Sequence, residues 1–346
     1  MVSKLTRHAS VLGLLALACV LSAVPGQAQG TLVVYCGVNE DWCRGAVTAF
    51  ERETGIKVSM TRKSSGEVYA QIKAEAANPR ADIWWGGTGD PHMQAAEEGL
   101  TIEYKSVKLG ELQDWALRQW EQSKGRTVGI YSGALGFGFN TDLVKKKGIA
   151  EPKCWADLLD PKLKDEVQVA DPNSSGTSYT LLATVVQLMG EDKGFAYLKA
   201  LHKNINQYTK SGAAPAKSTA LGETTVGIAF QHDLVSMVVD KAPIKVAAPC
   251  EGTGYEIGSM SIVKGARNLD NAKKWYDWAL TAPAQELGAA TRNYQVPANK
   301  SAKVPPQSPK LTEIKLIDFD FAKYGSSSER RRLLAKWDSE VKNLPK

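Results

Sequence analysis

Apolar runs and helical patterns alternate along the first third of the chain. The segments "TLVVYC" (31–36), "IKVSMTR" (56–62) and "ADIWWGG" (81–87) have the composition of strands. Each is followed by a polar loop and then by apolar residues at helical spacing, and the first two helical segments end at Gly55 and at Pro79. Strands that alternate with helices in this way predict βαβ units and a parallel sheet.

A second alternating series lies in the middle of the chain. It contains the strand segments "EVQVADP" (166–172) and "TVGIAFQHD" (225–233), and helical patterns separate them. It is bounded by "TVGIYSGALGFGFN" (127–140) and "YEIGSMSIVKG" (255–265), which we interpret as extended crossovers. We therefore predict an α/β fold of two lobes, each a mainly parallel sheet flanked by helices, with a ligand cleft between the lobes.

These crossovers divide the chain. We expect lobe one to consist of residues 29–132 plus 258–346 and lobe two to consist of residues 133–257, with crossover segments near 131–138 and 250–258. The tail contains "ERRRLLAKWDSEVKNL" (329–344), for which we predict a surface helix whose basic run is a solvated face.

The N-terminal residues have the pattern of a secretory signal peptide. Lys4 and Arg7 precede the apolar run "VLGLLALACVLSAV" (11–24), which is shorter than the ~20 residues of a membrane span. Small residues in "GQA" (26–28) suit peptidase cleavage, so we assign residues 1–28 to a signal peptide. A retained anchor helix and a lipoprotein modified at Cys19 are the alternatives.

Length and charge narrow the class of protein. A mature chain of about 318 residues exceeds the size at which one core is usual, which favours two lobes. No later segment has 18 consecutive apolar residues, so the mature protein is expected to be soluble. The net charge is +6 without a long Lys/Arg block, which disfavours a nucleic-acid partner and is compatible with a small acidic ligand.

Four cysteines remain after the signal peptide: Cys36, Cys43, Cys154 and Cys250. An even number in an exported chain favours disulfides, of which three pairings can be drawn. Because Cys36 and Cys43 are close in sequence, we pair them with each other and pair Cys154 with Cys250. Metal binding is the alternative, but no CxxC pattern or nearby His supports it.

Motifs of catalysis are missing from the sequence. It has no GxSxG, no HExxH and no P-loop pattern, and His92, His202 and His232 are the histidines of the mature chain. We therefore predict a protein that is not an enzyme and that carries no cofactor.

Several strands are followed by loops rich in Ser, Thr and Gly that lead into helices. Helix N-termini carry unpaired N–H groups and the positive end of the macrodipole, so they bind phosphate without needing Lys or Arg. The alternative for each loop is a simple N-cap. Within "DPNSSGTSYT" (171–180) we assign the capping role to Ser174 and expect Ser175, Gly176 and Thr177 to face the ligand. We expect neutral donors alone to hold the phosphate.

His232, Asp233 and Glu256 form a second group of candidates. His232 and Asp233 directly follow a buried strand, and Glu256 alternates with apolar residues on the second crossover. Carboxylates and an imidazole beside an anion site suit the hydroxyl groups of a sugar. A structural His–Asp pair and an exposed strand carboxylate are the alternatives.

Several of these segments together resemble a known family. "ADIWWGGTGDPH", "GFGFNTDLV", "WADLLDPKLKDEVQVADPNSSGTSY" and "GETTVGIAFQHD" are similar to periplasmic substrate-binding proteins of ABC transporters. The resemblance is to the type II fold group labelled ferric-iron-binding. It implies a periplasmic, monomeric, non-catalytic protein that closes on a small molecule by hinge motion and delivers it to an inner-membrane ABC permease.

Iron binders of this group use a pair of adjacent tyrosines, and the sequence has no Tyr-Tyr pair. The chain resembles more closely the members that bind hexose phosphates such as glucose 6-phosphate. That resemblance implies a phosphate site at Ser64 or Ser65, Thr88, Ser175, Gly176 and Thr177, and a sugar site at His232, Asp233 and Glu256. A ferric-iron carrier, a 2-aminoethylphosphonate binder and an exported phosphate-ester hydrolase are the alternatives.

Overall fold

The computed structural model describes residues 30–345, so the predicted signal peptide and Cys19 lie outside the described residues. The strands are β1 (Thr31–Cys36), β2 (Lys57–Arg62), β3 (Ile83–Thr88), β4 (Val128–Asn140), β5 (Val167–Ala170), β6 (Ile205–Thr209), β7 (Val226–Phe230), β8 (Ile244–Ala247), β9 (Tyr255–Ile262) and β10 (Val296–Pro297). None of the helices within residues 30–345 is long and apolar enough to cross a bilayer.

The helices occupy the segments between and after these strands. They are α1 (Glu40–Thr54), α2 (Ser65–Ala74), α3 (Gly89–Glu97), α4 (Asp114–Gln122), α5 (Thr141–Lys147), α6 (Gly176–Met189), α7 (Glu191–His202), α8 (Ala214–Leu221), α9 (Gln231–Val239), α10 (Leu269–Ala279), α11 (Ala282–Ala290), α12 (Phe321–Tyr324) and α13 (Ser327–Trp337). A π-helical turn, Asp338–Lys342, follows α13.

The strands run in the order β2-β1-β3-β9-β4-β7-β5-β6, and β8 and β10 both pair with β4. β1 is parallel to β2 and β3, and β5 is parallel to β6 and β7. Between these parallel groups, β4 and β9 pair antiparallel with each other and with their neighbours. The α/β fold is therefore confirmed, with the refinement that antiparallel crossover strands join the two parallel groups.

Two large hydrophobic clusters correspond to the two parallel groups. One contains Leu32, Phe50 and Trp275, and the other contains Phe137, Trp155 and Tyr179. β4 belongs to both because its early residues pack in the first cluster and its later ones in the second. All thirteen residues of β4 are buried, as expected for a strand with protein on both faces.

The C-terminal tail packs differently from the expectation. Leu333, Trp337 and Val341 lie in the same cluster as Trp155 and Tyr179, so this part of residues 258–346 packs with the middle of the chain as well as with lobe one. The basic run is not wholly solvated either, because Arg330 is only 3% exposed. An ion pair with Asp90 compensates for that burial. Because Asp90 lies outside the tail, the sequence pattern of the tail does not indicate this pairing.

Both disulfides are present with the pairing expected from the sequence. Cys36–Cys43 joins the end of β1 to the first turns of α1 across a separation of 7 residues. Cys154–Cys250 spans 96 residues and connects the two ends of the middle segment. A cross-link stabilises mainly by restricting the unfolded chain, and the restriction grows with the length of the closed loop.

The two disulfides are therefore expected to contribute unequally to stability. Converting Cys154 and Cys250 to Ala should lower the free energy of unfolding by about 4.7 kcal/mol, against about 2.5 kcal/mol for Cys36 and Cys43. Urea unfolding of the two double variants beside the oxidised parent measures both losses. A larger loss for the Cys36/Cys43 variant would contradict this account.

Candidate functional site

A cavity lies between the two lobes, where strands of both parallel groups end. It encloses about 420 Å³ of space free of protein atoms, part of it open to solvent. All nine predicted ligand residues line it: Ser64, Ser65, Thr88, Ser175, Gly176, Thr177, His232, Asp233 and Glu256.

The chain topology explains why these residues meet. Parallel strands in one sheet end at the same edge, and the helices that follow begin there. Thr88 ends β3 before α3, Ser175 precedes α6, and His232 lies in the first turn of α9 directly after β7. Glu256 comes from β9, which crosses between the lobes and so passes beneath the cavity.

Three helix N-termini, those of α2, α3 and α6, converge on one side of the cavity. The buried hydroxyl of Ser64 belongs to the capping box of α2, and its own hydrogen has no acceptor within residues 30–345. The buried hydroxyl of Thr88 lies beside the Asp90 carboxylate. The hydroxyl of Ser65 accepts a hydrogen bond of 3.1 Å from the backbone N–H of Thr88. Buried hydroxyls without partners are costly, so their arrangement suits a ligand that supplies acceptors.

The two lobes touch across this side. The backbone N–H of Gly66 donates to the carbonyl of Ser174 at 3.0 Å. A Cβ atom on Gly176 would lie 1.7 Å from Oγ1 of Thr88, so only glycine permits this approach. The structure therefore has the geometry of a closed cleft.

Ser174 does not have the capping role that we expected. Its hydroxyl donates to the carbonyls of Asp171 at 3.2 Å and Lys210 at 3.1 Å, which fixes the loop. α6 begins at Gly176, so Ser175 occupies the N-cap position, and its side chain makes no capping hydrogen bond. The local sequence does not distinguish two adjacent serines, and the position of the helix start decides their roles.

The cavity is also lined by a guanidinium, which the expectation of neutral donors alone does not include. Arg62, the last residue of β2, lines the cavity and donates from Nε to the carbonyl of Val38 at 3.0 Å. Its Nη2 lies 3.4 Å from Oγ of Ser211 in the other lobe. Burial lowers the pKa of Arg62, but an arginine stays charged in proteins.

Arg62 could have been found from the sequence. It ends the strand segment "IKVSMTR", and polar side chains at the carboxyl ends of strands are candidates for a ligand site. Asn39 and Tyr131 also line the cavity and were not predicted. Asn39 follows the first strand by three residues, whereas no local pattern indicates the direction of the Tyr131 side chain.

His232, Asp233 and Glu256 lie together on the other side of the cavity, and each is at least nine-tenths buried. Nε2 of His232 is 3.6 Å from Oε1 of Glu256 and 3.8 Å from Oδ2 of Asp233. Its Nδ1 is buried without a hydrogen-bond partner in the described part of the chain. Asn39 donates to Oδ1 of Asp233 at 2.9 Å, which is a further contact between the lobes.

Burial shifts the protonation of this cluster. It lowers the pKa of His232, so the imidazole is neutral and carries one donor and one acceptor nitrogen. Burial, followed by the charges of Asp233 and Asp90, raises the pKa of Glu256 well above its ordinary value. The cluster therefore offers both donors and acceptors, which is what ligand hydroxyl groups require.

Two observations concern metal binding. The cysteine sulfurs of Cys154 and Cys250 lie near Glu251 but are joined in a disulfide, so no thiolate is available there. In the cavity, the Tyr131 hydroxyl accepts a hydrogen bond of 3.0 Å from the N–H of Gly87. Burial raises the pKa of Tyr131 well above 10, which opposes formation of the tyrosinate that Fe³⁺ prefers.

Comparison with known proteins identifies the family. A family model described as bacterial extracellular solute-binding protein matches residues 78–324. The periplasmic binding protein AfuA of Actinobacillus pleuropneumoniae, solved with exogenous fructose 6-phosphate bound, is 49% identical, with a TM-score of 0.89 over 91% of this chain and 100% of that chain.

Two further relatives agree. The periplasmic binding protein P5PA is 41% identical, with a TM-score of 0.88 over 91% of this chain and 100% of that chain. An uncharacterized protein of Haemophilus influenzae is 48% identical over 92% of this chain and 94% of its own length. The chain therefore belongs to the bacterial extracellular solute-binding protein family, with the type II fold of the periplasmic solute-binding components of ABC importers.

Proposed function

We propose that the protein binds a phosphorylated small molecule, a hexose phosphate such as glucose 6-phosphate or fructose 6-phosphate, and delivers it to an inner-membrane ABC permease. It acts as a periplasmic monomer after residues 1–28 are removed as a signal peptide. It is a binding protein and not an enzyme. The relative solved with fructose 6-phosphate supports this choice of ligand.

The observation that carries the proposal is the division of the cavity into two chemically different sides. One side combines helix N-termini, the buried hydroxyls of Ser64 and Thr88, and the Arg62 guanidinium. Such a set suits a phosphate group. The other side holds His232, Asp233 and Glu256, which suit sugar hydroxyls. A bare phosphate ion would leave this second side unused.

Binding is coupled to closure because both lobes contribute to the phosphate side. Ser64 and Thr88 come from one lobe, and Ser175 and Thr177 come from the other. A ligand that contacts the residues of both lobes makes contacts in the closed state that the open state does not offer. It therefore stabilises the closed state over the open one. Release to the permease then requires the lobes to separate.

A panel of ligands tests this function through thermal melting. Hexose phosphates are expected to raise the melting temperature, since a ligand at 100 times its dissociation constant adds about 2.7 kcal/mol to the free energy of unfolding. Free hexoses, inorganic phosphate, polyamines, 2-aminoethylphosphonate and Fe³⁺ serve as comparisons. A shift with Fe³⁺ alone or with polyamines alone would refute the proposal.

The panel also separates the closest alternative. In 2-aminoethylphosphonate the ammonium group would face Asp233 and Glu256, so a stabilisation by this ligand that exceeds every hexose phosphate would assign the site to it. A hydrolase would release inorganic phosphate from glucose 6-phosphate during incubation. The proposed binder leaves the ester intact.

Substitutions on the two sides of the cavity are expected to have different effects. Arg62→Met should weaken hexose phosphates and inorganic phosphate alike, by about 10- to 100-fold, because it removes charge-assisted hydrogen bonds. Asp233→Ala and Glu256→Ala should weaken hexose phosphates by about tenfold and leave inorganic phosphate nearly unchanged. Isothermal titration calorimetry measures each affinity.

Lys57→Met is the matched control for Arg62, since Lys57 begins the same strand with a side chain that is 76% exposed. Its affinities should equal those of the parent protein. An equal loss for hexose phosphates and inorganic phosphate in the Asp233 and Glu256 variants would argue against the division of roles.

A further inference from the structure

Arg330 on α13 is a buried cation that the ligand cavity does not use directly. Its side chain is 3% exposed. Nε donates to Oδ2 of Asp90 at 2.9 Å, and Nη1 donates to Oε1 of Gln94 at 3.1 Å. The remaining nitrogen, Nη2, has no partner in the described chain. Burying a charge is costly, so its position calls for a reason beyond the packing of a surface helix.

Its ion-pair partner lies directly behind the phosphate side of the cavity. Asp90 is in the first turn of α3, two residues after Thr88. A buried carboxylate at this point would oppose an anion bound at the N-terminus of α3. The charge of Asp90 acts on the cavity: burial, then the charge of Asp233, and then that of Asp90 raise the pKa of Glu256. Arg330 neutralises that carboxylate.

Arg330 also touches the helix that faces α3 from the other lobe. Its Cζ lies 4.7 Å from the ring centroid of Tyr179, which is in the first turns of α6. α3 and α6 both begin at the cavity, with Thr88 and Gly176 in contact. The guanidinium thus lies between the two helices whose N-termini frame the phosphate side.

The rest of α13 is attached to both lobes as well. The backbone N–H of Ser327 donates to Oε2 of Glu97 in α3 at 2.6 Å. Lys336 pairs with Glu191 at the start of α7 at 2.7 Å, and Trp337 packs in the cluster of the middle segment. Anchors at both ends of the helix fix the depth and direction of Arg330.

We propose that Arg330 is a positioning residue for the ligand site: it cancels the charge of Asp90 beneath the phosphate-binding end of α3. This role rests on the proposed function, since it concerns affinity for an anionic ligand. Arg330 itself does not contact the ligand. It acts through Asp90.

The test compares affinities for fructose 6-phosphate and for inorganic phosphate by calorimetry. Arg330→Met leaves Asp90 uncompensated and should weaken both by at least tenfold. Asp90→Asn combined with Arg330→Met removes both charges and should recover most of the lost affinity. Arg331→Met is the matched control, because Arg331 is the next residue of α13 with a side chain that is 58% exposed, and its affinities should not change.

Asp90→Asn alone keeps the test informative if Arg330→Met does not fold. It leaves the cation uncompensated and should strengthen binding of both anions while lowering the melting temperature of the unliganded protein. A purely structural ion pair predicts weaker binding together with lower stability. An unchanged affinity in Arg330→Met, or a double variant no better than Arg330→Met, would overturn the proposal.

The same titrations distinguish this failure from failure of the proposed function. If the parent protein binds neither fructose 6-phosphate nor inorganic phosphate, both the proposed function and the role of Arg330 are refuted. If the parent binds and the Arg330 variants bind equally well, only the role of Arg330 is refuted.

Discussion

Closure of the two lobes buries hydrogen-bond donors that the protein does not itself satisfy, and the rest of the site depends on this constraint. The hydrogen of the Ser64 hydroxyl and Nδ1 of His232 are enclosed without protein partners within the described residues. Leaving such groups unpaired costs about 1–3 kcal/mol each, so a closed but empty cavity is disfavoured. A ligand that supplies acceptors removes this cost and makes the closed state the stable one.

The fold provides the means for that coupling. β4 and β9 run side by side between the parallel groups, so the lobes are connected where the cavity has its floor. Glycines then allow the lobes to meet: Gly176 contacts Thr88, and Gly66 donates to Ser174. The C-terminal helix α13 adds a third connection behind the cavity through Arg330. Ligand affinity is therefore a property of the whole closed geometry as well as of the residues that line it.

Much of this could be predicted from the sequence, because periodicity and strand-end position are local signals. All nine predicted ligand residues line one cavity, since each follows a strand or lies on a crossover. The burial and ion pair of Arg330 could not be predicted, because its partner Asp90 is 240 residues away and only the packing of α13 brings them together. The roles of Ser174 and Ser175 also depend on where α6 begins, which the polar sequence "NSSGTS" leaves ambiguous. Side-chain direction and long-range pairing are tertiary properties that local patterns do not encode.

A crystal structure of the protein grown with fructose 6-phosphate tests the central claim most directly, because it shows which end of the ligand faces which side of the cavity. We expect a closed cleft with the phosphate at the N-termini of α2, α3 and α6, beside Arg62, and with the sugar hydroxyls at His232, Asp233 and Glu256. A phosphate bound against the carboxylates, or a ligand outside this cavity, would contradict it.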